Sequence, residues 1–387
     1  AFVNGILAYT HDYSDTLLQC VVHGEPVLIP AVLALGEKRH VDGKSLITAV
    51  VAGYEIMSRV GMAVNSGKNR MAQQEMGFHP TATCGVFGSA AVTGKLLGFS
   101  VEQLADSFGI AGSYASGILE ALTSTPITMA RRLSGGKSAS SGILSALLAE
   151  SGFTGPKTVF EGKNGFLTAF TNGKFDVSYL QTTTPDRFFI TDAAIKYRNC
   201  IHAAASPIDG LLLIMDENRI RPEEIKKIKA CVPTPHYNIF MAKKDMHRPL
   251  TYGDAQTSLP YCLAVACIDG EVSVDQFSEE KIRDKHILEM AEKISLFPDE
   301  RMDAGFKEGK WPARIEVTTH DGRAFAETVE YPYGAPQNFL DFKALNVKFK
   351  NLSKNTLSSN QQDILYEMIE DLESLGDTSQ LMSVMHR

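Results

Sequence analysis

A chain of 387 residues, 44% hydrophobic and 21% charged, has an ordinary globular composition and enough length for two hydrophobic cores. Its net charge of −7 argues against nucleic acid as the main partner but leaves small anions open, because local charge can oppose the total. No run of about 18 apolar residues reads as a membrane span, and the sequence shows no signal-peptide pattern.

In chain order, residues 1–10 read as a helix already under way without a starting methionine, so a further N-terminal segment is expected before Ala1. The polar stretch His11-Asp12-Tyr13-Ser14-Asp15-Thr16 follows and leads to His23-Gly24-Glu25-Pro26. Pro30 to Arg39 reads as helix. Asp42-Gly43 turns the chain into a helix over 43–66, in which Ile47, Val50, Val51, Tyr54, Met57 and Val60 recur at helical spacing. Pro80 predicts a helix entered from His79, since a proline's missing N–H is one of the orphan donors of a first turn. The small residues Gly85, Gly88, Ala90 and Ala91 permit close packing of that helix, and Gly98 stops it. Ser100-Val101-Glu102-Gln103 predicts a capping box opening a helix that reaches Leu122. Another helix over 135–151 closes at Gly152.

The character changes near Thr191. Ala205 to Asn218 and Thr257 to Asp269 read as helices, and Ile225, Ile228, Ala230 and Val232 have strand-like spacing. Arg314 to Tyr331 reads as a hairpin turning at Asp321-Gly322. Leu340–Phe349 and Gln361–Leu375 return to helix. The expected fold is mainly α with an α+β lid. Residues 1–192 and 336–387 would form a large all-helical domain and 193–335 a smaller α+β domain, with a small-molecule site in the cleft between them.

Several chemistries lack support. The six cysteines contain no C-x-x-C pair and their spread fits a reducing, cytoplasmic compartment. The ten histidines form no H-E-x-x-H, and neither G-x-G-x-x-G nor G-x-x-x-x-G-K-[ST] occurs, so no metal site and no cofactor are expected. Four groups can carry side-chain chemistry. Asp12 and Thr16 share a face if a helix persists over 12–16, and His23 lies close in sequence, a possible proton-transfer set. His79 stands at a helix entrance, where N–H groups and the dipole favour an anion. Arg131-Arg132 precede the glycine-rich Ser134-Gly135-Gly136-Lys137 and suit a carboxylate or phosphate. Lys196 to His202 lie at the domain junction, where basic groups can close on an anion. Taken singly, each has a plainer reading: a solvated turn, a core or cap histidine, an ion-pairing surface segment. Tyr261 alone reads as core.

Taken together these residues are more specific. The chain resembles the MmgE/PrpD family, which includes 2-methylcitrate dehydratase, cis-aconitate decarboxylase and iminodisuccinate epimerase. The resemblance runs from Ala1-Phe2-Val3-Asn4-Gly5 through Asp12-Tyr13-Ser14-Asp15-Thr16, Val21-Val22-His23-Gly24, Ala52-Gly53-Tyr54-Glu55 and Gly77-Phe78-His79-Pro80-Thr81. It continues through Arg131-Arg132-Leu133, Gly152-Phe153-Thr154-Gly155 and Lys196-Tyr197 to Ser258-Leu259-Pro260-Tyr261 with Asp269-Gly270. It implies a cofactor-free homodimeric enzyme acting on a polycarboxylate between a helical domain and an α+β lid. The matching active-site positions are Asp12, Thr16, His23, His79, Arg131, Lys196 and Tyr261. Two departures stand out: the family often has lysine at position 131 and histidine at 134, where this chain has Arg131 and Ser134. Arginine stays charged at working pH, so it clamps a carboxylate but is a poor proton donor.

The resulting expectation is a lyase. His79 and His23 would be its acid–base residues and Asp12 would orient one of them. Arg131 and Lys196 would stabilise enediolate charge. Thr16 and Tyr261 would hydrogen-bond the substrate, with Tyr261 also a proton relay. Dehydration of a 2-methylcitrate-like acid comes first and decarboxylation of a cis-aconitate-like acid second. An epimerase and a non-catalytic carboxylate-binding protein are the alternatives.

Overall fold

The computed structural model describes residues 1–65, 69–181, 187–242 and 246–385. Helix makes up 59% of the described residues and accompanies a small mixed sheet, so the fold is mainly α with a minor α/β part. The N-terminal part is a stack of helices: α1 (Phe2–Ala8), α2 (Glu25–Arg39), α3 (Gly43–Val64), α4 (Pro80–Leu96), α5 (Val101–Tyr114) and α6 (Leu133–Glu150). Helix α4 is the centre of the stack. Its residues from Pro80 through Gly94 are all buried, because α2, α3, α5 and α6 surround it. Small residues permit this close approach; a Cβ on Gly136 of α6 would stand 2.2 Å from the Phe2 carbonyl oxygen of α1. Helix α3 is long and apolar enough to cross a membrane, which no contiguous apolar run in the sequence had suggested. Most of it is instead packed inside the protein, with Glu55 and Arg59 paired along one face.

A second hydrophobic core lies in the later chain. Helix α7 (Ala205–Asn218) and helices α8 (Tyr252–Thr257) and α9 (Leu259–Asp269) contribute to it, together with a four-stranded sheet. Strand β1 (Ile225–Val232) runs parallel to β2 (Ile294–Pro298) and antiparallel to β3 (Ala313–Thr319), which pairs antiparallel with β4 (Ala324–Val329). On β3 every second residue is buried, Ala313, Ile315, Val317 and Thr319, as expected of a strand with one face on a core. The last helices, α10 (Phe342–Ser353), α11 (Ser359–Glu370) and α12 (Thr378–Met385), run back to the N-terminal stack. Leu33 of α2 packs with Leu365, Leu375 and Leu381, and the Gly43 N–H donates to the Leu375 carbonyl at 2.7 Å.

Helix starts follow the capping signals. Asp42 accepts from the Ser45 N–H, and Ser100 and Gln103 form the capping box. Three local expectations fail for physical reasons. Residues 12–16 are not helical: Asp12 has φ 48° and Thr16 lies in a two-residue strand paired with Ala194. Helix α2 begins five residues before Pro30, because the Asp15 carboxylate takes the free N–H groups of Gly24 and Glu25. Helix α5 stops at Tyr114, and Gly117 and Leu119 instead bond the chain beside His79: the His79 N–H donates to the Gly117 carbonyl and the Leu119 N–H to the Gly77 carbonyl. Strand β2 has no counterpart among the sequence expectations, because only its Ile294 is buried and no alternation marks it.

Candidate active site

His79 is the N-cap of α4, with extended backbone, and Pro80 occupies the first turn behind it. Its ring is buried. Nδ1 lies 3.1 Å from the Ser134 hydroxyl at the start of α6, and Nε2 lies 3.3 Å from the Tyr9 hydroxyl just past α1. A neutral imidazole donates at one nitrogen and accepts at the other, so both hydroxyls can serve it. Burial, reinforced by nearby His23 and Arg131, lowers its pKa from the ordinary 6.5 to about 3.

His23 lies on the chain between the short strand and α2. Its Nδ1 is 2.6 Å from the Asp15 carbonyl oxygen, which can only accept, so Nδ1 carries the proton and Nε2 the lone pair. The Thr16 hydroxyl lies 3.2 Å from the same nitrogen, and the His23 N–H donates to the Thr81 hydroxyl in the first turn of α4. Burial and the Lys196 charge lower this ring to about 4. The rings of His23 and His79 are 6.4 Å apart, and Tyr9 lies within 6.1 Å of each.

Asp12 is 3% exposed and ion-paired through one carboxylate oxygen to Arg131 and through the other to Lys196. Burial alone would raise its carboxyl, but the two cations prevail and hold it well below the usual carboxylate range. Its partners correct one expectation. Asp12 orients Arg131 and Lys196, not a histidine; the Asp15 carbonyl holds the His23 ring instead. Asp12, Thr16, His23, His79, Arg131 and Lys196 thus meet in one buried cluster, although 184 residues separate Asp12 from Lys196.

Tyr261 is not part of this cluster. It is 0% exposed in the core of the later chain, beside Phe277, and its hydroxyl donates to the Gln276 carbonyl at 2.7 Å. Its proton is committed to that carbonyl, so neither substrate binding nor proton relay fits it. Tyr9 does reach the cluster, at His79, and Tyr252 lines a cavity beside it. A cavity of about 260 Å³ opens beside Arg131, lined also by Tyr9, Ile127, Arg132, Tyr252 and Gln256. A larger cavity, about 510 Å³ and lined by Gly109, Phe166 and Phe170, contains none of these chemical groups. His202 is a further neighbour, buried against Trp311 with both ring nitrogens lacking a partner among the described residues. Burial and Lys196 hold it neutral.

Tyr9 gives no sequence signal, because at the end of an amphipathic helix it reads as core. Tyr252 follows Thr251 in a capping box and reads as a helix start. Behind Lys196, the Lys348 ammonium of α10 donates to the Lys196 carbonyl at 2.7 Å. Burial lowers Lys348 to about 8, and burial with Asp15 nearby raises Glu25 to about 7.

The fold and the cluster define a class: a mainly helical protein with a buried cluster of titratable groups beside a cavity lined by Arg131 and Arg132. Residues 1–178 match the MmgE/PrpD N-terminal domain and residues 197–374 the MmgE/PrpD C-terminal domain, and the chain belongs to this family. Among curated relatives, a cis-aconitate decarboxylase-like protein of Aspergillus oryzae is 25% identical over 100% of this chain and 81% of its own length. The human cis-aconitate decarboxylase is 27% identical over 100% of this chain and 78% of its own length. A 2-methylcitrate dehydratase of Salmonella typhi is 24% identical over 83% of this chain and 66% of its own length.

Proposed function

We propose that the protein is a lyase that decarboxylates a cis-aconitate-like unsaturated tricarboxylate. The observation that carries this reading is the charge of the buried cluster. Arg131 and Lys196 share the single carboxylate of Asp12, while burial keeps His23 and His79 neutral. Within this six-residue cluster two cations stand against the one carboxylate of Asp12, in a protein whose total is −7, while the neighbouring Asp15 carboxylate is taken up by the Gly24 and Glu25 N–H groups. A desolvated cation excess favours a small polyanion. The relatives named cis-aconitate decarboxylase align over the whole chain, which supports decarboxylation over the dehydration expected first from the sequence.

In this reading Arg131 and Lys196 hold substrate carboxylate, and Asp12 keeps both cations in place. The carboxylate that leaves faces the neutral His23 imidazole, away from Arg131 and Lys196. Its carbon–carbon bond breaks, carbon dioxide departs, and the electron pair of that bond becomes the new double bond. The pair of the old double bond takes a proton at the far alkene carbon, so one proton is consumed per turnover. His79 delivers that proton: burial, His23 and Arg131 depress its pKa, the bound anion offsets the Arg131 charge, the ring takes up a proton, and Tyr9 and Ser134 hold it in place. His23, with its Nδ1 proton fixed on Asp15, presents Nε2 to the substrate.

Dehydration of a 2-methylcitrate-like hydroxy acid is the second reading, favoured by relatives of that name. It needs a base for the C–H and an acid for the departing hydroxyl, for which His23 and His79 suffice. Proton NMR in D₂O distinguishes the two. Cis-aconitate turning over to a decarboxylated product with one deuterium on carbon supports the first. Water loss from 2-methylcitrate supports the second. Silence on both substrates overturns the lyase reading.

A further inference from the structure

Arg132 is not accounted for by the chemistry above. Arg131 beside it is buried and paired with Asp12. Arg132 lines the same cavity yet makes no ion pair and no side-chain hydrogen bond among the described residues; its one contact of note is the face of Tyr252, with the guanidinium carbon 5.7 Å from the ring centroid. The platform under it is fixed. The Tyr252 hydroxyl accepts from the Asn199 side-chain amide at 3.0 Å and lies 2.8 Å from His11 Nδ1. Asn199 is held in turn by Gln256, whose side-chain amide donates to it at 2.7 Å. The carboxylate two residues beyond Tyr252 is already committed, because Asp254 accepts from the Ile127 N–H at 2.8 Å and from the Thr251 hydroxyl at 2.9 Å. A guanidinium stacked on a pinned ring, at a cavity wall and without a counter-ion, is pre-organised to take one from solution.

We infer that Arg132 is the specificity residue of the site: it binds the outermost carboxylate of the substrate and so selects tricarboxylates over shorter dicarboxylates. The inference rests on the proposed function for the identity of the anion. It divides the labour of the cavity. The Arg131–Lys196 pair holds the part of the substrate next to the histidines, and Arg132, on the Tyr252 platform, holds the far arm that survives the reaction. A planar guanidinium can accept that carboxylate through two parallel N–H donors, which an ammonium cannot.

The test uses ligands that cannot react. Tricarballylate is a saturated tricarboxylate, and succinate is the same skeleton without one carboxymethyl arm. Titration calorimetry gives Kd for both with the wild-type protein, Arg132→Gln and Arg132→Lys. Wild-type protein is expected to prefer tricarballylate. Arg132→Gln is expected to weaken tricarballylate about ten- to a hundredfold, the worth of a charged hydrogen bond, and to move succinate less than twofold. Arg132→Lys is expected to recover part of the loss. A wild-type protein that holds the two ligands equally or not at all overturns the inference. So does an Arg132→Gln variant that weakens both alike, or neither. The glutamine change is isosteric enough at this partly exposed wall to keep the fold, and an unchanged melting temperature without ligand checks that. Because neither ligand can turn over, a protein that fails to decarboxylate cis-aconitate yet shows this selectivity overturns the proposed reaction and leaves Arg132 in its role.

Discussion

Two helix entrances in this protein look alike and behave differently. Phe78-His79-Pro80-Thr81 opens α4, and Ser258-Leu259-Pro260-Tyr261 opens α9. Each has proline in the first helical turn, each leads into an almost wholly buried apolar helix, and each carries a polar aromatic group next to that proline. At the first entrance the side chain meets the Tyr9 hydroxyl just past α1, the Ser134 hydroxyl of α6 and a second imidazole. At the second, the tyrosine points into its own core and gives its proton to a backbone carbonyl. A local pattern can therefore announce a polar group at a helix start, but its neighbours decide whether that group is chemistry or packing.

The sharpest contrast between the two entrances is in turnover. His79→Ala is expected to lower kcat/KM on the productive substrate about a hundred- to ten-thousandfold, the usual worth of a general acid–base group. Steady-state kinetics beside Tyr261→Phe checks it, and a Tyr261→Phe loss of similar size would break the comparison. Next is the ion-paired carboxylate. Asp12→Ala strands Arg131 and Lys196 together without their counter-charge, at about 3–5 kcal/mol of stability, read from urea unfolding at pH 7. If the Asp12→Ala protein is as stable as wild type, the cluster is not held as described.

The third prediction concerns pH. The unfolded chain protonates His23 and His79 near the ordinary value of 6.5, whereas the folded protein does so only near about 4 and about 3. Because the folded pKa values are depressed, stability is complete above pH 6.5 and is lost as pH falls through about 4 and then about 3. Unfolding midpoints measured from pH 7 to pH 3 should fall, and His23→Gln with His79→Gln should flatten the acid limb. The smallest effect sharpens the contrast from the other side: Tyr261→Phe removes one buried hydrogen bond, leaves the Gln276 carbonyl unpartnered and costs about 1 kcal/mol, with kcat/KM unchanged.

Six members of the candidate cluster are legible in the sequence. Asp12, Thr16, His23, His79, Arg131 and Lys196 were picked out by residue type and by the order of motifs along the chain, and they come together in space. What was illegible follows a rule. Tyr9, Tyr252 and Asp15 act through positions that look like helix ends, where an aromatic ring or an acid reads as packing or as a cap. Asp15 is indeed a cap, for Gly24 and Glu25, and its carbonyl also sets the proton on His23. The break of α5 at Tyr114 was hidden because its cause, the pairing of Gly117 and Leu119 with Gly77 and His79, lies far away in sequence.

The sequence by itself determined where α3, α4 and α5 start, since Asp42, Pro80 and Ser100 act within one turn of themselves. It also determined the one-faced strand at Ala313–Thr319, since burial on one side imposes a period of two. Tertiary structure alone decided that Asp12 bonds two cations instead of a histidine, that His23 is neutral with its proton on Nδ1, and that Tyr261 belongs to the core. Each of these depends on a partner brought in from another part of the chain and on the removal of water around it. Burial makes a charge or a proton costly to misplace, and only the packed chain settles which groups are buried together.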